Sequence, residues 1–120
     1  MLGPTLETPR LILRPPNAGD FAPFAAFMAE AASRFIGGPM PASAAWRVLA
    51  TITGGWPLMG FSMFSYIEKA SGQWIGRGGP WAPEGWPGTE VGWAVAPAFQ
   101  RRGYAKEAAA ASIDWAFANL

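Results

Sequence analysis

The chain has 120 residues, 51% of them hydrophobic and 14% charged, a composition that describes one small globular domain over residues 1–120 and excludes a disordered chain. Its formal net charge of +1 excludes the broad cationic surface of a nucleic-acid-binding protein. Cysteine and histidine are both absent, which excludes thiol nucleophiles, disulfides, thiolate metal sites and a Ser-His-Asp triad.

The composition also bears on metal, acid-base chemistry and membranes. Without the commonest metal ligands we predict no metal site, and acid-base chemistry falls to a carboxylate, a tyrosine or a bound water. Gly, Pro or a charge interrupts every apolar stretch well short of the ~20 residues that cross a bilayer. The N-terminal MLGPTLETPR lacks the basic leader and apolar core of a signal peptide. We therefore expect a cytoplasmic protein that does not engage a membrane.

The first half of the chain predicts one strand followed by two helices. Residues 10–15, RLILRP, are a short aliphatic run closed by prolines, and the arginines at its ends are expected to be structural or surface charges. Phe21, Phe24 and Met28 recur at helical spacing. A second helix is predicted to begin at the N-cap Ser43 and to end at residues 53–57, TGGWP.

The second half predicts three strands and a final helix. Residues 61–68 and 73–81 read as a hairpin, and residues 89–95, TEVGWAV, as the next strand. The chain from about Gly103 to Asn119 is alanine-rich and predicts a helix. The predicted order is therefore β-α-α-β-β-β-α.

Tryptophan is unusually frequent, with 7 residues in the chain. Those at 56, 81 and 86 stand among Gly and Pro, where they either pack over a small core or line an acceptor pocket; packing is the favoured alternative. Trp93 and Trp115 are expected in the core. Glu84, in the Gly/Pro-rich loop, is expected to be solvated.

The turn between the last strand and the last helix carries a basic cluster. The start of a helix leaves backbone N–H groups unpaired and attracts phosphates. Gly103 would let such a ligand approach the main chain, the small Ala105 would keep the first turn uncrowded, and Arg101, Arg102 and Lys106 would add positive charge. The same residues are also compatible with an ordinary tight turn whose arginines are solvated. Neither a Walker loop nor a dinucleotide-binding G-x-G-x-x-G pattern accompanies this turn.

Three segments in order resemble one protein family. QRRGYA is similar to the Q/R-x-x-G-x-G/A signature of the GNAT superfamily of acyl-CoA N-acyltransferases. TPRLILRP, EVGWAV and RGYAKEA together resemble its RimJ/RimL-like branch, the ribosomal-protein N-terminal acetyltransferases, as does GPWAPEGWPGTEVGWAV. The resemblance implies a three-layer α+β fold, with a mixed, mostly antiparallel sheet and helices on both faces.

The resemblance also implies a reaction and its residues. The co-substrate would be acetyl-CoA, and the acetyl group would pass directly to a primary amine, either a protein N-terminus or a small molecule. Glu90 would act as the base, directly or through water. Residues 35–40 would border the acceptor. Main-chain groups of two segments would hold the co-substrate: those of Ala94, Val95 and Ala96 the pantetheine arm, and those of Arg101, Arg102, Gly103, Tyr104, Ala105 and Lys106 the pyrophosphate.

The chain departs from the family pattern at its end. Members of the family continue with further strands and often a late tyrosine or serine that protonates the thiolate, whereas Tyr66 and Tyr104 are the only tyrosines here. We therefore expect C-terminal strands to be missing and the last strand to be an open edge. Either the chain is a fragment, or a second copy supplies the missing surface in a homodimer. The alternatives to an enzyme are a non-catalytic CoA-binding or dimerisation module and a purely structural domain.

Overall fold

The computed structural model describes residues 2–120, apart from the side chains of residues 31, 32 and 35. Five strands form one sheet: β1 (Leu6–Glu7), β2 (Leu11–Arg14), β3 (Phe64–Glu68), β4 (Trp74–Trp81) and β5 (Glu90–Val95). Three α-helices accompany it: α1 (Phe21–Met28), α2 (Ala42–Met59) and α3 (Tyr104–Asn119). Tighter 3-10 turns lie at Ala18–Asp20, Ala31–Ile36 and Pro97–Phe99.

Each strand pairs with the strand before it in the chain. The order across the sheet is β1-β2-β3-β4-β5, and all four pairings are antiparallel. The predicted α+β fold is confirmed, and its described sheet is antiparallel throughout rather than mixed. Antiparallel strands need only short connections, which is how β3, β4 and β5 follow one another. Strand β5 consequently forms one edge of this sheet.

Buried side chains fill both sides of the sheet, as the predicted placement of helices requires. One cluster lies against α3 and comprises Leu11, Leu13, Trp56, Phe64, Tyr66, Ile75, Val95, Tyr104 and Ala108. The other lies against α1 and α2 and comprises Phe24, Phe27, Met28, Ala45, Leu49 and Trp74. Because successive residues of a strand face opposite sides, Val95 belongs to the first cluster while Ala94 packs against the second.

Helix α2 continues through residues 53–57, where the sequence predicted its end. The Trp56 side chain is only 2% exposed, and its indole Nε1 donates to the Met63 carbonyl at 2.9 Å. Burying a side chain of this size outweighs the poor helix propensity of the glycines and proline around it. The helix ends at Gly60, whose left-handed φ of 82° closes the last turn.

Two smaller predictions are wrong, and one strand was not predicted. Strand β1 was not predicted, because two residues give no periodic signal. Ser43 lies inside the first turn of α2, and Pro41 occupies the N-cap position instead. Trp93 is 50% exposed, not in the core, because no strand of the described sheet lies beyond β5 to cover it. Trp115, by contrast, packs against the core with its ring 5.7 Å from that of Trp56.

Candidate active site

The start of α3 has unpaired backbone donors. Gly103 is the N-cap in a left-handed conformation (φ 81°), and no side chain caps the helix. The first amide bonded within the helix is that of Glu107, which donates to the Gly103 carbonyl at 3.1 Å. The amides of Tyr104, Ala105 and Lys106 precede it and have no acceptor in the described part of the chain. These donors, together with the helix dipole, form a site suited to an anion.

Cationic side chains surround this helix start. Arg101, Arg102 and Lys106 are all exposed, and within residues 2–120 none of them forms an ion pair. The guanidinium of Arg102 lies 5.4 Å from the centre of the Phe99 ring. Arg101 has a left-handed φ of 64°, a conformation that costs a non-glycine residue about 1–2 kcal/mol. Such local strain is typical of binding loops.

Arg10 and Glu107 hold the turn against the sheet. Glu107 accepts hydrogen bonds from the Thr8 hydroxyl, from the Arg10 backbone N–H (2.9 Å) and from Arg10 Nε (2.8 Å). Partial burial acts to raise the pKa of Glu107, but these hydrogen bonds outweigh it and keep the pKa below its ordinary value. Arg10 Nη1 also donates to the Arg102 carbonyl at 2.7 Å. The sequence indicated only a structural or surface charge at Arg10. It could not indicate these contacts, because Arg10 and α3 lie far apart along the chain.

The Tyr104 side chain anchors the helix start and points into the core. It is 7% exposed, its hydroxyl donates to a carboxylate oxygen of Glu68, and Arg10 lies 4.2 Å above its ring. The hydrogen bond to Glu68 raises the pKa of Tyr104. Hydrogen bonds from Ser71 and then Tyr104 lower the pKa of Glu68. Tyr104 therefore offers a ligand its backbone amide, not its phenol.

Tyr66 is also removed from solvent. Its side chain is fully buried, and its hydroxyl has no hydrogen-bond partner among the described residues. Burial raises the pKa of Tyr66 well above its ordinary value. Neither tyrosine of the chain therefore presents its hydroxyl to solvent.

Strand β5 presents main-chain groups at the free edge of the sheet. The Ala96 N–H donates to the Ile75 carbonyl at 2.8 Å, directly toward β4. Residues of an antiparallel edge strand alternate between directing their main-chain groups to the partner strand and away from it. The main-chain groups of Ala94 and the N–H of Ala96 therefore point toward β4, whereas the main-chain groups of Trp93 and Val95 point outward. The Ala96 carbonyl accepts from the Phe99 N–H at 2.9 Å. Of the three residues predicted to bind the pantetheine arm, only Val95 directs its main-chain N–H and C=O to the free edge of the sheet.

One outward group of β5 already has a partner. Gln100 Nε2 donates to the Val95 carbonyl at 2.9 Å. Beside it, a cavity of about 290 Å³ joins the strand edge to the start of α3; its lining residues are Phe27, Ile36, Trp93, Ala94, Val95, Gln100 and Ala105. Ile36 belongs to the segment 35–40 predicted near the acceptor, whereas the side chain of Phe35 lies outside the described residues. The predicted phosphate turn and the predicted pairing edge thus meet at one opening.

Glu90 begins β5 at the end remote from the turn. It is exposed and stands opposite Trp81 in the ladder, on the same side of the sheet as Ala94. At about 3.3 Å per residue, Glu90 lies roughly 17 Å along the strand from Val95. A base at this position would act at the far end of a ligand that lies along the β5 edge.

A larger cavity of about 900 Å³ lies on the Glu90 side of the sheet. Helix α2 forms one wall and the loop after β4 the other, and the lining residues are Ala50, Thr51, Gly54, Gly55, Leu58, Met59, Trp81, Ala82, Pro83, Glu84, Gly85 and Trp86. The three tryptophans at 56, 81 and 86 therefore differ in which of the two predicted roles, core packing or lining a pocket, they fit. Trp56 packs in the core, while Trp81 and Trp86 line an opening.

Two further features concern metals and membranes. Within the described residues, no group of three or more acidic side chains is arranged to hold a metal ion. None of the helices in the same part of the chain combines the length and apolarity needed to cross a bilayer.

Comparisons with known proteins agree with one another. The family model described as acetyltransferase (GNAT) domain matches residues 10–120. The structure superposes on an acetyltransferase from Agrobacterium tumefaciens with a TM-score of 0.89 and 37% identity, over 98% of this chain and 70% of that one. A protein from Bordetella pertussis described as a GNAT-family acetyltransferase superposes with a TM-score of 0.82 and 27% identity. The superposition covers 97% of this chain and 72% of that one.

A more distant structure shares the fold. A GNAT-family acetyltransferase from Bacillus anthracis superposes with a TM-score of 0.79 at 19% identity, over 97% of this chain and 68% of that one. A search of curated proteins by sequence finds no significant match.

Proposed function

Since this chain belongs to the GNAT acetyltransferase family, whose members use acetyl-CoA, we propose that it transfers the acetyl group of acetyl-CoA to a primary amine. One observation carries the proposal. Ala105, which has one of the unpaired amides at the start of α3, lines the same 290 Å³ cavity as Trp93 and Val95 at the free edge of β5. An unpaired amide at a helix start suits a pyrophosphate, and a free strand edge suits an extended arm that contains amides.

The pyrophosphate would lie at the start of α3. The amides of Tyr104, Ala105 and Lys106 would donate to its oxygens, and the Arg101 and Lys106 side chains would add charge. Gly103 fits this role because a Cβ there would stand 3.2 Å from Arg10 Nη2, in a backbone conformation that side chains rarely adopt. A larger residue would disturb both the turn and the clamp that holds it.

The pantetheine arm would extend along β5 from the turn toward Glu90. Trp93 and the Val95 N–H would supply the main-chain hydrogen bonds, as in the addition of a strand to a sheet edge. The Val95 carbonyl would become available once the Gln100 amide releases it. This assignment replaces Ala94 and Ala96 as the pairing residues. The main-chain groups of Ala94 are directed to β4, and those of Ala96 bond to Ile75 and Phe99.

Glu90 would serve as the base of the reaction. Acetyl-CoA supplies a thioester whose carbonyl carbon bonds to the amine nitrogen while its C–S bond breaks and the thiolate leaves. An amine attacks only when it is unprotonated, so Glu90 would accept the proton directly or through a water. Its carboxylate is exposed at the start of β5, where a proton can pass to solvent.

The finer assignments remain part of the proposal. The segments TPRLILRP, EVGWAV and RGYAKEA support membership of the RimJ/RimL-like branch. We propose with it that the acceptor is either a protein N-terminus or a small amine. A homodimer and a cytoplasmic location are also proposed.

Calorimetric titration with CoA tests the binding site. Arg101→Gln combined with Lys106→Gln should weaken CoA binding about tenfold or more, because charge-assisted hydrogen bonds to phosphate are lost while these exposed positions leave the fold intact. Gly103→Val should abolish binding, and Gly88→Val, which adds the same side chain where a Cβ meets open space, should not. Unchanged affinity in the double variant contradicts the site, and binding without turnover on any amine would leave a non-catalytic CoA-binding module.

A further inference from the structure

The 900 Å³ cavity between α2 and the loop after β4 has a distinctive chemistry. Its volume lies in the range of pockets that enclose small ligands. Two indoles, Trp81 and Trp86, line it together with Leu58 and Met59. Leu58 is 86% exposed and Trp86 46% exposed, so large apolar groups face water around the opening. An apolar lining of this kind favours a ligand with a hydrophobic body.

The charge of the cavity has one sign. Among the described residues that line it, Glu84 is the only ionisable one, and none is Lys or Arg. Trp81 stands opposite Glu90 in the β4–β5 ladder, and cross-strand neighbours on one face have Cβ atoms about 4.5–5.5 Å apart. A second carboxylate is therefore adjacent to the wall of the cavity. Carboxylates and indole faces both attract an ammonium group, whereas a ligand carboxylate would meet only like charge.

We infer that this cavity binds the acceptor, and that the acceptor is a small arylalkyl primary amine without a carboxylate. The inference rests on the proposed acetyl transfer, which it deepens by naming the acceptor class. The ring would lie against Trp81 and Trp86, and Glu84 and Glu90 would attract the ammonium. Glu90 takes one proton from the ammonium, and the nitrogen gains the acetyl group as the thioester C–S bond breaks. The second proton that the nitrogen loses passes through water to the departing thiolate, which leaves as the CoA thiol. The product is a neutral amide, which loses its attraction to both carboxylates and can leave.

Phenethylamine is the probe that tests this inference, with ethanolamine and phenylalanine as matched amines. Ethanolamine lacks the ring and phenylalanine carries a carboxylate. Calorimetry should detect phenethylamine binding, and its kcat/KM with acetyl-CoA should exceed that of either other amine at least about tenfold. Trp86→Ala should weaken phenethylamine binding about tenfold and leave CoA binding unchanged. Trp46→Ala is the matched control, because Trp46 is an exposed tryptophan of α2 that lines a different opening, and it should alter neither.

Charge is tested separately. Glu84→Gln should weaken phenethylamine binding several-fold, while Glu30→Gln, which neutralises an exposed carboxylate away from the cavity, should not. Equal binding of phenethylamine and phenylalanine would overturn the acceptor class.

The outcomes separate this inference from the proposed function. If CoA binds and another amine is acetylated while phenethylamine is ignored, the acceptor class is wrong and the transferase stands. Preferred acetylation of a peptide amide such as Phe-Ala-amide would replace the small amine with a protein N-terminus and overturn the inference. If CoA fails to bind but phenethylamine binds in a Trp86-dependent way, the transferase proposal fails while the amine site is supported.

Discussion

Arg10, the residue before β2, bonds to the turn that precedes α3, because its Nη1 donates to the Arg102 carbonyl at 2.7 Å. The same side chain forms an ion pair with the Glu107 carboxylate and lies over the Tyr104 ring. Residues some ninety positions apart in sequence are thus held together at the proposed pyrophosphate site. Arg10 is a positioning residue, because it directs the turn without needing to contact the ligand.

Replacing Arg10 should weaken CoA binding indirectly. In Arg10→Met the turn loses its hydrogen bond at the Arg102 carbonyl, so the amides at the start of α3 are less well ordered for an anion. We expect the Kd for CoA to rise about three- to tenfold, with an unchanged slope of affinity against salt, because no ligand-bound charge is removed. Titration calorimetry at several salt concentrations measures both quantities.

The control for Arg10 is Arg47→Met. Arg47 is exposed on α2, where its Nη1 donates to the Ser43 carbonyl at 3.5 Å within the same helix, so loss of its side chain should leave CoA affinity as it is. If Arg10→Met reduces the salt slope by as much as the double variant at Arg101 and Lys106 does, Arg10 contacts phosphate itself and is not a positioning residue.

Removing the carboxylate of Glu90 should slow the reaction without weakening CoA binding. General-base catalysis contributes about 10²–10⁴-fold, so Glu90→Gln should lower kcat by a factor in that range. The loss should shrink as pH rises, since more of the amine is then already unprotonated. Steady-state kinetics over pH 6 to 10 tests this, with Glu30→Gln as a control for charge alone. A kcat that matches the unmodified protein at every pH would exclude Glu90 as the base.

Local sequence signals were sufficient for most of the fold and for the turn. The strand TEVGWAV and the alanine-rich helix after it lie where the sequence predicted them. Alternating Val and Trp indicate the strand, and the high helix propensity of alanine indicates the helix. Helix α2 shows the limit of such reasoning. The glycines and proline at 53–57 indicate a helix end, yet burial of Trp56 keeps the chain helical to Met59. Tertiary packing overrides local propensity here.

The contacts that organise the site could not be predicted from one sequence. The pairing of Arg10 with Glu107 spans almost the whole chain, and no local pattern encodes it. The outward direction of Trp93 and Val95 depends on the register with β4, which the strand sequence alone leaves open. The 900 Å³ cavity likewise requires knowing that α2 continues past residue 53.

A buried carboxylate should make stability sensitive to acid. Asp20 is 3% exposed and accepts hydrogen bonds from Arg14 Nη1 and Nη2 (both 2.9 Å) and from the Ser65 hydroxyl (2.6 Å). Burial acts to raise the pKa of Asp20, but the hydrogen bonds from Arg14, Ser65 and the Asn17 backbone outweigh it and lower the pKa below 3.8. Its stabilisation is therefore complete above that value and is lost as pH falls through the lower, folded pKa.

Asp20→Asn is the corresponding variant. It leaves the Arg14 guanidinium without its counter-charge and should cost about 3–5 kcal/mol of unfolding free energy at pH 7. The difference in unfolding free energy between Asp20→Asn and the unmodified protein should become smaller toward pH 2, because the Asp20 carboxyl is then protonated in the unmodified protein as well. Urea unfolding at several pH values measures this. Asp114→Asn on exposed α3 is the control and should change stability little; a deficit for Asp20→Asn that is constant across pH would show that its ionisation is irrelevant.

Arg77 is a buried cation without a carboxylate partner in residues 2–120. It is 9% exposed, and its Nη1 donates to the Met63 sulfur at 3.3 Å. Among the described residues its Nε has no hydrogen-bond partner. Burial lowers the pKa of Arg77, since the charged form has lost its water. An apolar side chain of similar length would avoid this desolvation. Arg77→Met should therefore raise the unfolding free energy by about 1–4 kcal/mol, measured by urea unfolding with an unchanged m-value.

The control for Arg77 is Arg77→Lys, which keeps the positive charge and should not stabilise the protein. CoA affinity should be the same in both variants, because Arg77 lines neither the 290 Å³ nor the 900 Å³ cavity. A loss of stability in Arg77→Met would mean that the guanidinium has favourable interactions beyond the Met63 contact. A loss of CoA binding or turnover with stability intact would instead assign the buried charge to the reaction, where its positive field would act on the developing negative charge of the thioester oxygen.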